Sequence, residues 1–395
     1  MLWDLMPREP PKNPLIFIDL ARKATALRPD IVKNWEGLAL HLLGTGEYEE
    51  AAAVLSEAIS RFPTEPRLHL MLADAYDRGQ RLDLAHEVLH LTPAIPIDDR
   101  EMTLYRLELL MRTKAVKNAG QVATDTLALD PTNITALTLL GKVSRKNGNP
   151  EIMLPFCQAA LKHDPGHSQA RYELAFTFTI LGRFEEAKKL IDLAQFITVT
   201  DVVKPQAYVD AAAFEATLAS EIARNPTLKP DPPHLATRGG FQTMDGLPHA
   251  GERAIGDVIT LIRVAVDAFE ANLTEELDHP FIKLRPERAW LNAWAVVYPG
   301  DGRQVAHIHP HSWLTGVYYV SAPKPSCEHP RGGCLVLGAL EMEGLNIDPP
   351  WGIRDIIPSP GRLVLFPSYV PHATIPTGST DRRICIAFNV EPSPT

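Results

Sequence analysis

The chain has 395 residues, of which 45% are hydrophobic and 22% charged, with a formal net charge of −9. This is an ordinary globular composition with room for two or three domains, and its acidic balance argues against general affinity for nucleic acid or anionic membranes. Four cysteines (Cys157, Cys327, Cys334, Cys385) form no CxxC pair, so neither a disulfide framework nor a zinc spacing is expected, and a reducing cytoplasm is the default compartment.

The N-terminus, Met1 to Arg8, lacks a basic start followed by a long apolar core, so no signal peptide is expected. No apolar run reaches the ~18 residues of a membrane span. Residues 14–28 read as a lone leading helix. From residue 32 to 201 the sequence repeats itself every 34 residues. One column reads Ala51, Ala85, Ala119, Met153, Ala187, and another Ala58, Ala160, Ala194. A third reads Gly46, Gly148, Gly182, with Gly79 one residue out of register, and a fourth Pro29, Pro63, Pro131, Pro165, with Ile97 beside Pro96 in the missing place. Small residues let two antiparallel helices approach. Glycine ends the first helix where φ must be positive, and proline stops the second. The fullest unit carries Trp35, Leu38, Gly46, Tyr48, Ala51, Leu55, Ala58 and Pro63. It resembles the tetratricopeptide repeat, whose period this is. Five units are expected, the second and third degraded. Such a solenoid offers a concave groove for a peptide or protein; the alternative is self-association or bracing of the next domain.

Residues 202–250 change character. Val209–Arg224 is apolar at helical spacing and is expected to close the repeats. Asn225 to Pro233 is too rich in proline for regular structure, which places the boundary near 225–235. Ala250–Leu273 reads as an amphipathic helix with Ile255, Val258, Ile259, Ile262, Val266 and Phe269 on one side.

From residue 288 the pattern changes to period two. Strands are expected at Ala289–Tyr298, Gln304–His307, Leu314–Ser321, Gly333–Leu337, Arg354–Ile357, Arg362–Phe366, Ala373–Ile375 and Arg383–Val390. Eight short strands broken by Gly and Pro turns predict a barrel or jelly roll. His307 and His309 project to one side of an extended chain and can reach one ion, and His372 can complete a facial triad from across the barrel. Imidazole suits iron, zinc, copper and nickel alike. Arg383 opens a strand in which Arg383, Cys385, Ala387 and Asn389 share a face; the small neighbours leave space for a bidentate carboxylate partner. Arg382 points the other way. His311, past a proline, is a weaker ligand, and His329 with Cys327 and Cys334 makes a poor zinc site. Asp348 to Gly352 reads equally as a lid or a plain turn.

The stretches Trp290 to Trp294, His307 to Val320, Gly333 to Gly338, Pro360 to Ser368, His372 and Arg383 to Asn389, with Thr237 to Thr243 upstream, resemble the iron(II)- and 2-oxoglutarate-dependent dioxygenases. In particular they resemble the oxygenase family that often follows tetratricopeptide repeats. The resemblance implies a double-stranded β-helix that binds Fe(II), 2-oxoglutarate and O2 and hydroxylates a C–H bond. It implies His307, His309 and His372 as metal ligands, Arg383 as the anchor of the distal carboxylate, and Tyr318 and Asn389 beside the cosubstrate. One departure stands out: His309 occupies the place where most relatives carry Asp or Glu. A three-histidine site has no ligand charge and should hold iron(II) less tightly and less selectively. His309 either binds the metal or hydrogen-bonds a water or substrate in the third position.

The expected architecture is α+β: a cap helix over 1–30, tetratricopeptide-like repeats and a closing helix over 31–224, a linker over 225–248 and the oxygenase jelly roll over 249–395. The expected function is hydroxylation of a side chain on a protein or peptide held by the repeats, with no nucleic-acid or membrane partner and the oligomeric state open. The alternatives are a small-molecule oxygenase that uses its repeats for assembly, and a scaffold whose barrel no longer turns over.

Overall fold

The computed structural model describes residues 1–4, 14–95, 99–113, 119–202, 204–231, 235–243, 246–249, 251, 253–273, 279–324, 326–341 and 348–393. Pro96 and Ile97 of the proline column, Pro232 and Pro233 of the linker and Ala250 at the expected helix start lie outside them. The chain divides into two compact units, one of Glu9–Ala159 and the other of Met1–Arg8 with Ala160–Thr395. No helix among the described residues is long and apolar enough to cross a membrane.

The first unit is built of α1 (Pro14–Leu27), α2 (Val32–Thr45), α3 (Tyr48–Arg61), α4 (Pro66–Arg78), α5 (Leu82–Leu91), α6 (Arg100–Arg112), α7 (Ala119–Leu129), α8 (Ile134–Lys146) and the start of α9 (Met153–His163). The periodic columns are its packing positions. Ala51, Ala58, Ala85, Ala119 and Met153 are all fully buried. Trp35 seals the first pair, its indole N–H donating to the Pro29 carbonyl at 3.0 Å. Gly46 and Gly148 hold the left-handed residue that ends an inner helix, at φ 88° and 72°. Where the period demands the same conformation in the second repeat, the residue is Gln80, at φ 60°. That explains why Gly79 seemed out of register: the geometry kept its place and the glycine did not. Arg112, half-buried, pairs with Asp74, at 2.6 Å, and Asp77, which ties α6 to α4.

The second unit takes over the fifth repeat. The rest of α9 leads to α10 (Ser168–Ile180), but α11 (Phe184–Lys188) is only five residues long. Ala194, expected at a helix contact, lies beyond its end and is exposed. The chain instead becomes extended at Thr198–Asp201, which pairs antiparallel with Arg362–Leu365. The helix α12 (Ala211–Ala223) also differs from its expected role of closing the repeats. Its Phe214, Leu218 and Ile222 enter the barrel core, against α13 (Arg253–Ala271). Glu221 fixes that pairing, its two carboxylate oxygens accepting from the Ala254 and Ile255 amides at the start of α13. All six apolar residues expected on one side of α13 are buried there. A short α14 (Pro280–Lys283) precedes the barrel strands.

The strands are β1 (Leu2–Asp4), β2 (Thr198–Asp201), β3 (Lys229–Pro230), β4 (Thr237–Arg238), β5 (Phe241–Gln242), β6 (Arg288–Tyr298), β7 (Arg303–Gln304), β8 (Leu314–Ser321), β9 (Leu335–Leu337), β10 (Arg354–Ile356), β11 (Arg362–Pro367), β12 (His372–Thr374) and β13 (Arg383–Pro392). Seven of the eight strands expected from the sequence are present with small shifts at their ends. The larger sheet runs β2-β11-β8-β13-β6-β5-β3, with β1 parallel on the first half of β6, and a smaller sheet runs β10-β9-β12. The jelly-roll cavity lies between the two sheets, with walls from β6, β8, β11 and β13 on one side and β9 and β12 on the other. The strand expected over Gln304–His307 is reduced to β7, and His307 makes an isolated bridge with His372.

Candidate active site

The register of the larger sheet decides which side chains face the cavity. Asn389 lies opposite Thr315, Ala387 opposite Val317 and Cys385 opposite Tyr319 on β8; on β6, Ala387 lies opposite Trp294 and Arg383 opposite Tyr298. Directly opposed residues share a face. The cavity wall is therefore made from Arg383, Cys385 and Ala387 with Thr315, Val317, Tyr319, Trp294 and Tyr298. This corrects the expectation for Tyr318. One residue out of phase, it points through the opposite side of the sheet toward α12, where burial, with Glu215 adding to it, raises its phenol well above the usual range. Tyr319 is the tyrosine of this strand that lines the cavity.

His307, His309 and His372 converge at the cavity mouth. One ring nitrogen from each lies within 4.8 Å of the others, and ring centroids are 4.3 Å apart for His307 and His372 and 5.0–5.1 Å for the other two pairs. The backbone makes the meeting obligatory: the His307 and His372 amides each donate to the other's carbonyl, at 3.1 and 3.0 Å, and the His309 amide donates to Ser368. Burial holds all three imidazoles below their ordinary pKa. For His309 the neighbouring His307 adds to this, and for His372 both other rings do. Near neutral pH the three rings are thus neutral rather than positively charged, which is the state a metal needs. His311 is exposed and takes no part.

Arg383 is 1% exposed and lines the same cavity. Its guanidinium donates to the carbonyls of Gly333 (3.1 Å), Ile375 (3.3 Å) and Gly302 (3.3 Å) and to the Thr374 hydroxyl (3.1 Å). The Tyr298 ring lies 4.5 Å beneath it, and the Tyr298 hydroxyl accepts from Gln304 at 2.9 Å. Every one of these partners is neutral, and among the described residues no carboxylate reaches the guanidinium. A buried cation without an anion is costly, so the arrangement calls for one to be supplied. Gly302 makes the seat: a Cβ there would stand 2.1 Å from the Tyr298 ring. Arg382, as expected, is exposed.

Asn389 also departs from its expected role. Its Oδ1 accepts from the Thr315 hydroxyl at 3.1 Å and its Nδ2 lies 3.3 Å from His309 Nδ1, so the amide is engaged by the site itself rather than turned to a cosubstrate. Trp294 is half-buried on the cavity wall with its ring 5.7 Å from His309. Asn292 is tied to Glu391. Trp351 donates to the Gly338 carbonyl at 3.0 Å, which pins the end of the Asp348 to Gly352 turn. Cys327 and Cys334 are free, the first exposed and the second buried. Sequence reasoning missed Tyr298, Gln304 and Thr374 around Arg383. The alternation of Trp294, Val296 and Tyr298 carried a signal for the first, whereas the other two become visible only when β7 and β12 come together.

A jelly roll with three histidines and an unpaired buried arginine in one cavity is the class the geometry defines. Residues 292–389 match the family model described as "Putative 2OG-Fe(II) oxygenase" and residues 42–102 match that of the tetratricopeptide repeat, so the chain combines a domain of that oxygenase kind with a repeat region. No curated protein matches the chain. Among solved structures, it is similar to a Pseudomonas putida prolyl-4-hydroxylase (19% identity, 51% of this chain and 96% of that one, TM-score 0.35). It is also similar to a Trichoplax adhaerens prolyl hydroxylase in complex with a hypoxia inducible factor peptide (16%, 53% and 91%, 0.34). A third is YrrB, a TPR protein with an unusual peptide-binding site (16%, 44% and 93%, 0.36). At these identities and scores the likenesses assign neither substrate nor partner.

Proposed function

We propose that the second unit is an iron(II)- and 2-oxoglutarate-dependent dioxygenase and that the repeats hold the protein or peptide whose side chain it hydroxylates. The observation that carries this reading is the meeting of three neutral imidazoles with a buried arginine that lacks an anion, in one cavity. The donor set fits the metal: imidazole is a good ligand for iron(II), and His307, His372 and His309 are the residues that would hold it. Arg383 would pair with the distal carboxylate of 2-oxoglutarate, and Cys385 and Ala387 leave room beside it. When bound, iron and cosubstrate supply the oxidising chemistry: O2 and 2-oxoglutarate become succinate and CO2 as one oxygen atom enters a C–H bond.

The chain's own residues do the rest. The carbonyls of Val305 and Val370 accept hydrogen bonds from Nδ1–H of His307 and His372 and so aim their Nε2 lone pairs inward. Tyr298 and the Gly302 carbonyl hold the guanidinium flat against the wall. Tyr319, Phe366 and Trp294 keep the cavity apolar, which strengthens an ion pair formed inside it. The test is oxygen-dependent formation of succinate from 2-oxoglutarate by the iron-loaded chain. Turnover is expected for the wild type and not for His372→Ala. Absence of turnover with wild type would favour a second reading, a metal-binding scaffold, for which His309 in place of a carboxylate is the supporting observation.

A further inference from the structure

The three rings of the centre differ in what holds them. His307 Nδ1 lies 2.7 Å from the Val305 carbonyl oxygen and His372 Nδ1 3.1 Å from that of Val370. A carbonyl only accepts, so both Nδ1 atoms carry the ring proton, and a neutral imidazole then has its lone pair on Nε2. At His309 the partner of Nδ1 is an amide. Asn389 Nδ2 lies 3.3 Å away, while Asn389 Oδ1 accepts from Thr315 at 3.1 Å. An NH2 group only donates, so in this arrangement His309 Nδ1 is the acceptor. Its ring proton sits on Nε2, and His309 offers the cluster an N–H where the other two offer lone pairs.

Half a turn of the Asn389 amide reverses this without losing a hydrogen bond. Oδ1 then accepts from His309 Nδ1–H and the NH2 donates to Thr315, whose hydroxyl both donates and accepts. His309 Nε2 is thereby freed as a ligand. Both states keep the amide buried with one hydrogen bond to His309 and one to Thr315, so a ligand that distinguishes them can select one.

We propose that Asn389, aligned by Thr315, is the positioning residue that decides whether His309 joins the metal as a third nitrogen ligand, through an amide that turns when metal binds. The inference rests on the metal-binding reading above. It gives His309, which lacks the charge of a carboxylate, a way to be a donor in the metal-free protein and a ligand in the loaded one.

Zinc, a redox-silent probe, tests this on the metal-free full-length chain without cosubstrate. Asn389→Leu, which can neither donate nor accept, is expected to weaken zinc binding by about 10–100-fold, the usual cost of losing a group behind a ligand. Asn389→Asp, which can only accept, is expected to bind zinc at least as tightly as wild type. Nitrogen NMR of the His309 ring should show the proton on Nε2 in the metal-free wild type and on Nδ1 with zinc bound or in Asn389→Asp. Wild-type affinity in Asn389→Leu overturns the proposal. So does an Asn389→Asp variant as weak as Asn389→Leu, which would mark a merely structural role. His307→Ala separates the layers: if it loses zinc the metal reading stands whatever Asn389 does, and if it binds like wild type both readings fall.

Discussion

Arg383 owes its character to what is absent around it. Three carbonyls and a hydroxyl satisfy its N–H groups, but none carries charge. If a carboxylate ligand completes the pair, replacing the guanidinium by a neutral amide of similar reach leaves that carboxylate facing dipoles only. Arg383→Gln is expected to weaken 2-oxoglutarate binding by about 3 kcal/mol, roughly a hundredfold, as a bidentate charge-assisted contact is lost. Calorimetric titration in the presence of metal checks this; unchanged affinity would place the anchor elsewhere. The histidines make a second prediction at this scale. Their folded pKa values lie below the ordinary value of 6.5, so between the two the unfolded chain binds more protons than the folded one. Their contribution to the stability of the metal-free protein is therefore intact above about pH 6.5 and is lost as the pH falls below it. Thermal melts from pH 7.5 to 5.5 should show the midpoint dropping. In His309→Gln, where one titrating ring is gone, the drop should be smaller.

At the scale of elements, the repeats show how a helical period outlives its signature residues. Gln80 occupies a left-handed turn that Gly46 and Gly148 occupy elsewhere, and a side chain there is strained. Gln80→Gly is expected to stabilise the chain by roughly 0.5–1 kcal/mol in denaturant unfolding, reversing the usual effect of glycine in a regular element. Arg112 is the opposite case. Its removal would take one ion-pair partner from each of Asp74 and Asp77, which are 4% and 1% exposed, while Arg78 still reaches Asp74 at 3.0 Å. Arg112→Ala is expected to cost about 1.5–3 kcal/mol, the worth of the charge-assisted hydrogen bonds it makes to Asp74 and Asp77. The same denaturant curves would show it as a lower midpoint.

For the whole molecule, the division into two compact units separates recognition by the proposed repeat groove from chemistry in the barrel. Metal that binds the three histidines must stabilise the unit that holds them. At about 100 times the dissociation constant the gain is about 2.7 kcal/mol. Calorimetry should record this as an upward shift of an unfolding transition on adding zinc or iron(II), and no shift in His307→Ala. An equal shift in that variant would mean that the ion binds elsewhere.

How much of this was legible in the chain follows from the range of the forces involved. The 34-residue period, seven of the eight strands, the His307–His309 pair, His372 and Arg383 were readable, because helix packing, strand alternation and turn chemistry are written in neighbouring residues. The sequence could also place Arg383, Cys385 and Ala387 on one face, since alternation along a strand is local. It could not choose between Tyr318 and Tyr319, because that depends on the register of β8 against β13, which includes a shift between Ile384 and Cys385. Nor could it show that Asn389 serves His309, or that Thr198–Asp201 leaves the repeats to become a sheet strand. Those outcomes depend on contacts between residues some eighty to one hundred and sixty positions apart, and such contacts exist only once segments distant in the chain have come together in the folded barrel.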